Sequence, residues 1–122
     1  MNLSNAEIQV SQRATEFLQQ MGITPRYAGY GYLREAIVRT AADWSALFGL
    51  TKVLYPEIAR KYKTTPNAVE RSIRYVILAI WEIPSKREVF KSLSGYQDSD
   101  RPTNKEFIGL LADQILLEMF QK

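Results

Sequence analysis

The chain has 122 residues and a mass of 14.0 kDa, enough to bury one core and too short for two packed domains. Its 46% hydrophobic and 24% charged residues belong to a folded globular domain, not to a disordered or fibrous chain. It has no cysteine and no histidine, which removes disulfides, thiol nucleophiles, thiolate zinc sites, the usual general base and both familiar nucleophilic triads. No catalytic residue, metal or cofactor is expected, and the chain does not read as an enzyme.

The amino terminus lacks a basic lead followed by an apolar stretch, and no apolar run approaches the roughly 18 residues of a membrane span. The reading is a cytoplasmic protein with no membrane partner. Ser4-Asn5-Ala6-Glu7 has the spacing of a capping box, and Ile8, Ala14, Phe17, Leu18 and Met21 then recur on one helical face up to Gly22. A second helix is expected through Tyr32, Leu33, Ala36, Ile37 and Ala41, continuing toward Trp44 and Leu47 and ending near Gly49. A third carries Val53, Leu54, Ile58, Ala59 and Tyr62 inward, with an introductory turn before Pro56.

Thr65-Pro66 supplies an N-cap and a first-turn proline for a fourth helix, whose stripe is Val69, Ile73, Val76, Ile77 and Ile80. Pro84 breaks the chain before a short fifth helix that stops at Ser94-Gly95. Thr103-Asn104-Lys105-Glu106 is a second capping box, opening a sixth helix through Phe107, Ile108, Leu111, Ile115, Leu116 and Met119. The expected fold is all-α, a compact six-helix domain spanning residues 1–122.

The net charge of +3 is unevenly placed. The window from Thr51 to Val76 holds Lys52, Arg60, Lys61, Lys63, Arg71 and Arg74 against Glu57 and Glu70, so all the excess positive charge sits in about a fifth of the chain. Inside it, PEIARKYKTTPNAVERSIRYVI, at about 56–77, has the spacing of a helix-turn-helix. Ala59 falls where the two helices cross and a larger side chain would part them, while Ile58, Val69 and Ile73 set their angle. Lys63 stands where many such motifs have glycine, so a left-handed backbone is expected of a residue that disfavours it.

A helix-turn-helix places its second helix in the major groove of double-stranded DNA. Asn67, Glu70, Arg71 and Arg74 are the candidate base readers, because arginine grips guanine bidentately, glutamate accepts from cytosine and asparagine pairs with adenine. Arg60, Lys63, Thr64, Thr65 and Tyr75 are the candidate phosphate contacts, with Lys61 nearby. Ala68 shares the outward face. The alternative for this face is a solvated one holding a Glu70 to Arg74 pair.

GYGYLREAI at 29–37, TKVLYPEIARKYKTTPNAVERSIRYVI at 51–77 and RPTNKEFIGLLADQILLE at 101–118 resemble the C-terminal DNA-binding domain of the stage zero sporulation protein A family, response regulators that start sporulation. The resemblance runs through residues 8–118. It implies a six-helix effector domain binding promoter elements as tandem copies, with contact to the primary sigma factor of RNA polymerase, and it matches Glu70, Arg71 and Arg74 to the family's recognition helix. Ala68 and Tyr75 stand where the family's well-known member has arginine and histidine, and EIPSKREVFKSLSG, in the sigma-contacting stretch, has little identity and one extra residue. No receiver domain precedes the effector, so the expectation is a stand-alone binder of the same class of sites. The competing function is a protein-interaction module that kept the fold and modulates a related regulator without productive DNA binding, with Tyr27, Tyr30, Tyr32 and Tyr96 as its candidate surface.

Overall fold

Local capping fixes where the chain turns. In the computed structural model, which describes residues 4–120, the Ser4 hydroxyl accepts from the Glu7 N–H at 3.1 Å and the Glu7 carboxylate accepts from the Ser4 N–H at 3.3 Å. Six α-helices follow: α1 (Asn5–Gln20), α2 (Gly29–Ala42), α3 (Tyr55–Tyr62), α4 (Pro66–Trp81), α5 (Pro84–Ser94) and α6 (Asn104–Phe120). A 3-10 helix (Trp44–Gly49) and a π-helical turn (Leu50–Leu54) join α2 to α3, and the described residues contain no strand. Thr103 caps α6 as its spacing predicts, its hydroxyl accepting from the Glu106 N–H at 3.1 Å.

The expected second helix ends seven residues early. Asp43 adopts an extended backbone, and its carboxylate accepts from both the N–H and the hydroxyl of Ser45, at 3.1 and 2.7 Å. Such a local bond offers the backbone an alternative to continuing the helix. The redirected chain buries Leu47 against α6, where Gly109 leaves it room: a Cβ there would lie 2.8 Å from Leu47 Cδ2. Trp44 and Phe48 point outward, Phe48 with 71% of its surface exposed.

Three residues expected to face inward do not. Val53 lies in the π turn, which rotates it out while seating Leu54 and Tyr55. Tyr62 is at the end of α3 and meets Tyr32 edge-on at 5.2 Å on the rim of the core. Ile8 sits among residues 4–9, all exposed, because the first turn of α1 projects past the core.

α2 is the central helix, lying against α1, α4 and α6. Its inward residues Leu33, Ala36 and Ile37 meet Phe17 and Leu18 of α1, Val76 and Ile80 of α4, and Ile108, Leu111 and Ile115 of α6 in one buried cluster. Each such Leu, Ile or Phe contributes about 1.5–3 kcal/mol relative to exposure. Phe90 of α5 stacks on Phe107 at 4.6 Å, with Trp81 edge-on, which seals the far end. Tyr27, Tyr30, Tyr32 and Tyr96 are half-buried and pack at the edge of this cluster.

Charged side chains tie α2 to α3 across the surface. Glu35 accepts from Arg39 at 2.8 Å and from Lys61 at 2.7 Å, and Arg39 reaches Glu57 at 3.1 Å. Burial alone would raise the Glu35 carboxyl, but the bonds from Lys61 and Arg39 outweigh it and hold its pKa below the ordinary carboxylate value.

Candidate nucleic-acid interface

The joint between α3 and α4 is built as the motif requires. Ala59 is 2% exposed, and Ile58, Val69 and Ile73 are fully buried beside it. Lys63 ends α3 with φ 56° and ψ 49°, a left-handed conformation, and the following Thr64 N–H bonds to the Ala59 carbonyl at 2.9 Å. A lysine in this conformation costs about 1–2 kcal/mol relative to glycine. Thr65 then caps α4, its hydroxyl accepting from the Ala68 N–H at 3.1 Å, with Pro66 at the first helical position.

This geometry turns one face of α4 outward. Asn67, Arg71, Arg74 and Tyr75 are exposed, and Ala68 and Glu70 are half-buried along the same ridge. Glu70 and Arg74 form a two-point pair, Nε to Oε2 at 3.1 Å and Nη2 to Oε1 at 3.3 Å. Arg71 forms no ion pair with any described residue, and neither do Arg60 and Lys63. The ridge therefore presents one guanidinium without a carboxylate partner, one already oriented by its neighbour, and an asparagine amide at its leading end.

Of the expected phosphate contacts, Lys63, Thr64 and Thr65 lie together at the turn leading into α4. Tyr75 flanks the ridge, 64% exposed. Arg60 is set apart: it shares a shallow depression with Arg39, Glu57 and Lys61, and it lines neither of the two depressions that border α4. Lys61 is held by Glu35 in the network tying α3 to α2.

Two further residues position the ridge, and periodicity did not single them out. At Gly29 the start of α2 rests on the backbone of α4, so closely that a Cβ would lie 2.5 Å from the Ser72 carbonyl oxygen. The only sequence sign is the glycine itself, inside GYG. On the other side, the Asn104 side-chain amide donates to the Tyr55 hydroxyl at 3.1 Å and to the Glu70 carbonyl at 3.2 Å. Burial raises the pKa of the Tyr55 hydroxyl above its ordinary value, keeping it a neutral partner. In the sequence Asn104 is one residue of a capping box, with nothing to indicate its partners.

Beside α4 lies an open depression of about 450 Å³, bounded by Ala28 and Gly29 on one wall and by Ala68, Arg71 and Tyr75 on the other. No group of three or more carboxylates among the described residues is arranged to hold a metal ion, and no described helix is long and apolar enough to cross a membrane. The family model described as "Sporulation initiation factor Spo0A C terminal" matches residues 14–115, a span that takes in the whole helix-turn-helix.

Proposed function

The chain belongs to the family of the sporulation initiation factor Spo0A C-terminal domain and so is a DNA-binding domain of transcription regulation, and from that premise we propose that α4 reads base sequence in the major groove. The observation that carries the proposal is the outward ridge of α4, where Asn67, Arg71 and Arg74 stand exposed on a helix whose other face is wholly buried. Arg71, without an acidic partner, is the residue best suited to grip a guanine through two hydrogen bonds. Arg74 and Glu70 act as a pair, the carboxylate fixing the guanidinium and itself able to accept from cytosine. Lys63, Thr64 and Thr65 meet phosphates at the leading end, and Tyr75 meets the backbone at the flank. Arg60 contributes mainly through its charge.

One module of this size makes only a few base contacts, so useful selectivity calls for tandem copies on one duplex. The proposal includes that arrangement within one domain spanning the chain, in the cytoplasm, and it puts a sigma factor, where one is contacted, against α5. Selection of bound sequences from a random duplex pool at about 0.15 M salt tests the reading helix, since long-range attraction there is screened beyond about 8 Å. An enriched motif is the expected result, and a pool that stays random despite a folded protein rejects it.

The second reading, an interaction module without productive DNA binding, draws support from Phe48 and Phe120, 71% and 76% exposed. It predicts no enriched sequence, together with a protein complex that survives moderate salt.

A further inference from the structure

α4 has two flanks, and they differ in charge. Arg74 lines the depressions on both sides, so the outward ridge is the divide between them. The flank beside Ala28 and Gly29 carries no charged residue beyond those of α4 itself. The opposite one, about 370 Å³, is walled by the π turn at Thr51 and by the segment from Arg101 to Lys105. Its only carboxylate is Glu70, already paired with Arg74, and neither Asp98 nor Asp100 lines it.

Arg101 and Lys105 are exposed, and neither forms an ion pair with a described residue. Lys105 is also held in place: its ammonium sits 4.5 Å above the ring of Phe48. That contact gives an outward phenylalanine a role, because a cation over an aromatic face is attracted to it while its N–H groups stay available. The positive character comes from these side chains and not from the start of α6, where the Glu106 N–H is taken by Thr103 and the Thr103 N–H by Glu106.

We propose that this groove is a second DNA-backbone site, in which Arg101 and Lys105 clamp phosphates of one strand bordering the major groove while α4 lies inside it. The inference rests on the reading of α4 as the groove-bound helix. A helix seated in a groove about 12 Å wide is bordered by both phosphate backbones, so whatever flanks it meets them. The clamp acts on one side alone and fixes the tilt of α4 without reading sequence. Thr51 and Thr103 border the same space with hydroxyls that suit phosphate oxygens.

The test is the salt dependence of duplex binding by the full chain carrying Arg101→Gln and Lys105→Met, with Arg101→Gln alone as a second variant. Lys105→Met keeps an apolar stem beside Phe48, and a thermal melt checks that each variant is folded. Each lost phosphate contact should reduce the slope of log affinity against log salt by about 0.9. Affinity should fall by the same factor on the selected and on a random duplex, and the selected motif should not change. Wild-type slopes in both variants, in a protein whose Arg71→Ala form still loses selectivity, overturn the clamp and leave the reading helix standing. A wild-type protein that prefers no sequence, yet loses slope in the double variant, keeps the clamp and overturns the reading helix. A protein that binds no duplex at all overturns both.

Discussion

Asn104, the first residue of α6, donates its side-chain amide to the main-chain oxygen of Glu70 in the second turn of α4, and the same nitrogen reaches the hydroxyl of Tyr55 at the start of α3. One side chain thus joins both helices of the helix-turn-helix to a third that belongs to the rest of the core. The reading helix is thus held on both flanks within its first half, by Asn104 at Glu70 on one side and by the close approach of Gly29 to Ser72 on the other.

Replacing Asn104 by alanine should therefore loosen α4 as well as the fold. Two hydrogen bonds go, each contributing about 0.5–1.5 kcal/mol, and the hydroxyl of the buried Tyr55 loses its partner. A loss of about 1–3 kcal/mol in urea unfolding is expected, with weaker binding to the preferred duplex. Asn104→Asp should be worse, because a carboxylate in the amide's place faces the Glu70 carbonyl, acceptor against acceptor. Unfolding midpoints equal to wild type in both variants would show that the bond does not hold α4.

Arg71 and Arg60 are both exposed arginines of the helix-turn-helix, and their surroundings set different expectations. Arg71→Ala should cost about 1–3 kcal/mol on the preferred duplex and relax selectivity at one base position, as expected of a bidentate base contact. Arg60→Ala should weaken binding to all duplexes by a similar small factor and leave the preferred sequence intact, because Arg60 stands apart from the ridge among Arg39, Glu57 and Lys61. Competition binding with single-base variants separates the two, and equal losses of selectivity would contradict the assignment of the ridge.

Gly29 and Gly31 are two residues apart in α2, and alanine should have opposite effects at them. At Gly29 the added Cβ meets the Ser72 carbonyl oxygen at 2.5 Å and its carbon at 2.8 Å, backbone atoms that yield only if the two helices part. Overpacking of this kind costs about 1–3 kcal/mol. At Gly31 the nearest atom is the Tyr62 hydroxyl oxygen at 3.3 Å, the far end of a partly exposed side chain that swings aside. There alanine should be neutral or stabilising by up to about 1 kcal/mol, the helical gain over glycine. Thermal melts of both variants decide it, and a Gly29→Ala protein as stable as wild type would mean that the close approach is not required.

Features encoded by neighbouring residues were legible in the sequence. Ser4 with Glu7, Thr65 with Pro66 and Thr103 with Glu106 mark three helix starts within four residues each. Lys63 takes the left-handed turn its position implies, and the apolar spacing of α4 leaves Asn67, Arg71 and Arg74 facing out. Features that rest on partners far along the chain were not. The apolar rhythm through Trp44 and Leu47 continues as if α2 did, because the bonds that Ser45 donates to Asp43 and the seat that Gly109 makes for Leu47 have no periodic signature. Asn104 meets partners 34 and 49 residues away, and Arg60, one turn before the motif's joint, is directed elsewhere by the packing of α3 on α2.

That packing also predicts how stability responds to acid. The Glu35 carboxyl has a folded-state pKa below its ordinary value, through its bonds to Lys61 and Arg39. A group depressed in this way stabilises the fold above its unfolded pKa, about 4.3, and the stabilisation is lost as pH falls through the lower folded value. Glu118, depressed first by its hydrogen bond from Arg13, adds a contribution of the same sign between α1 and α6. Urea midpoints should therefore fall as the buffer is taken from about pH 6 to pH 3. Glu35→Gln should lower stability at neutral pH and flatten that decline, because glutamine does not titrate and leaves Lys61 without its carboxylate. A Glu35→Gln protein with the wild-type pH profile would place the acid sensitivity elsewhere and deny the α2 to α3 network its part in holding the helix-turn-helix.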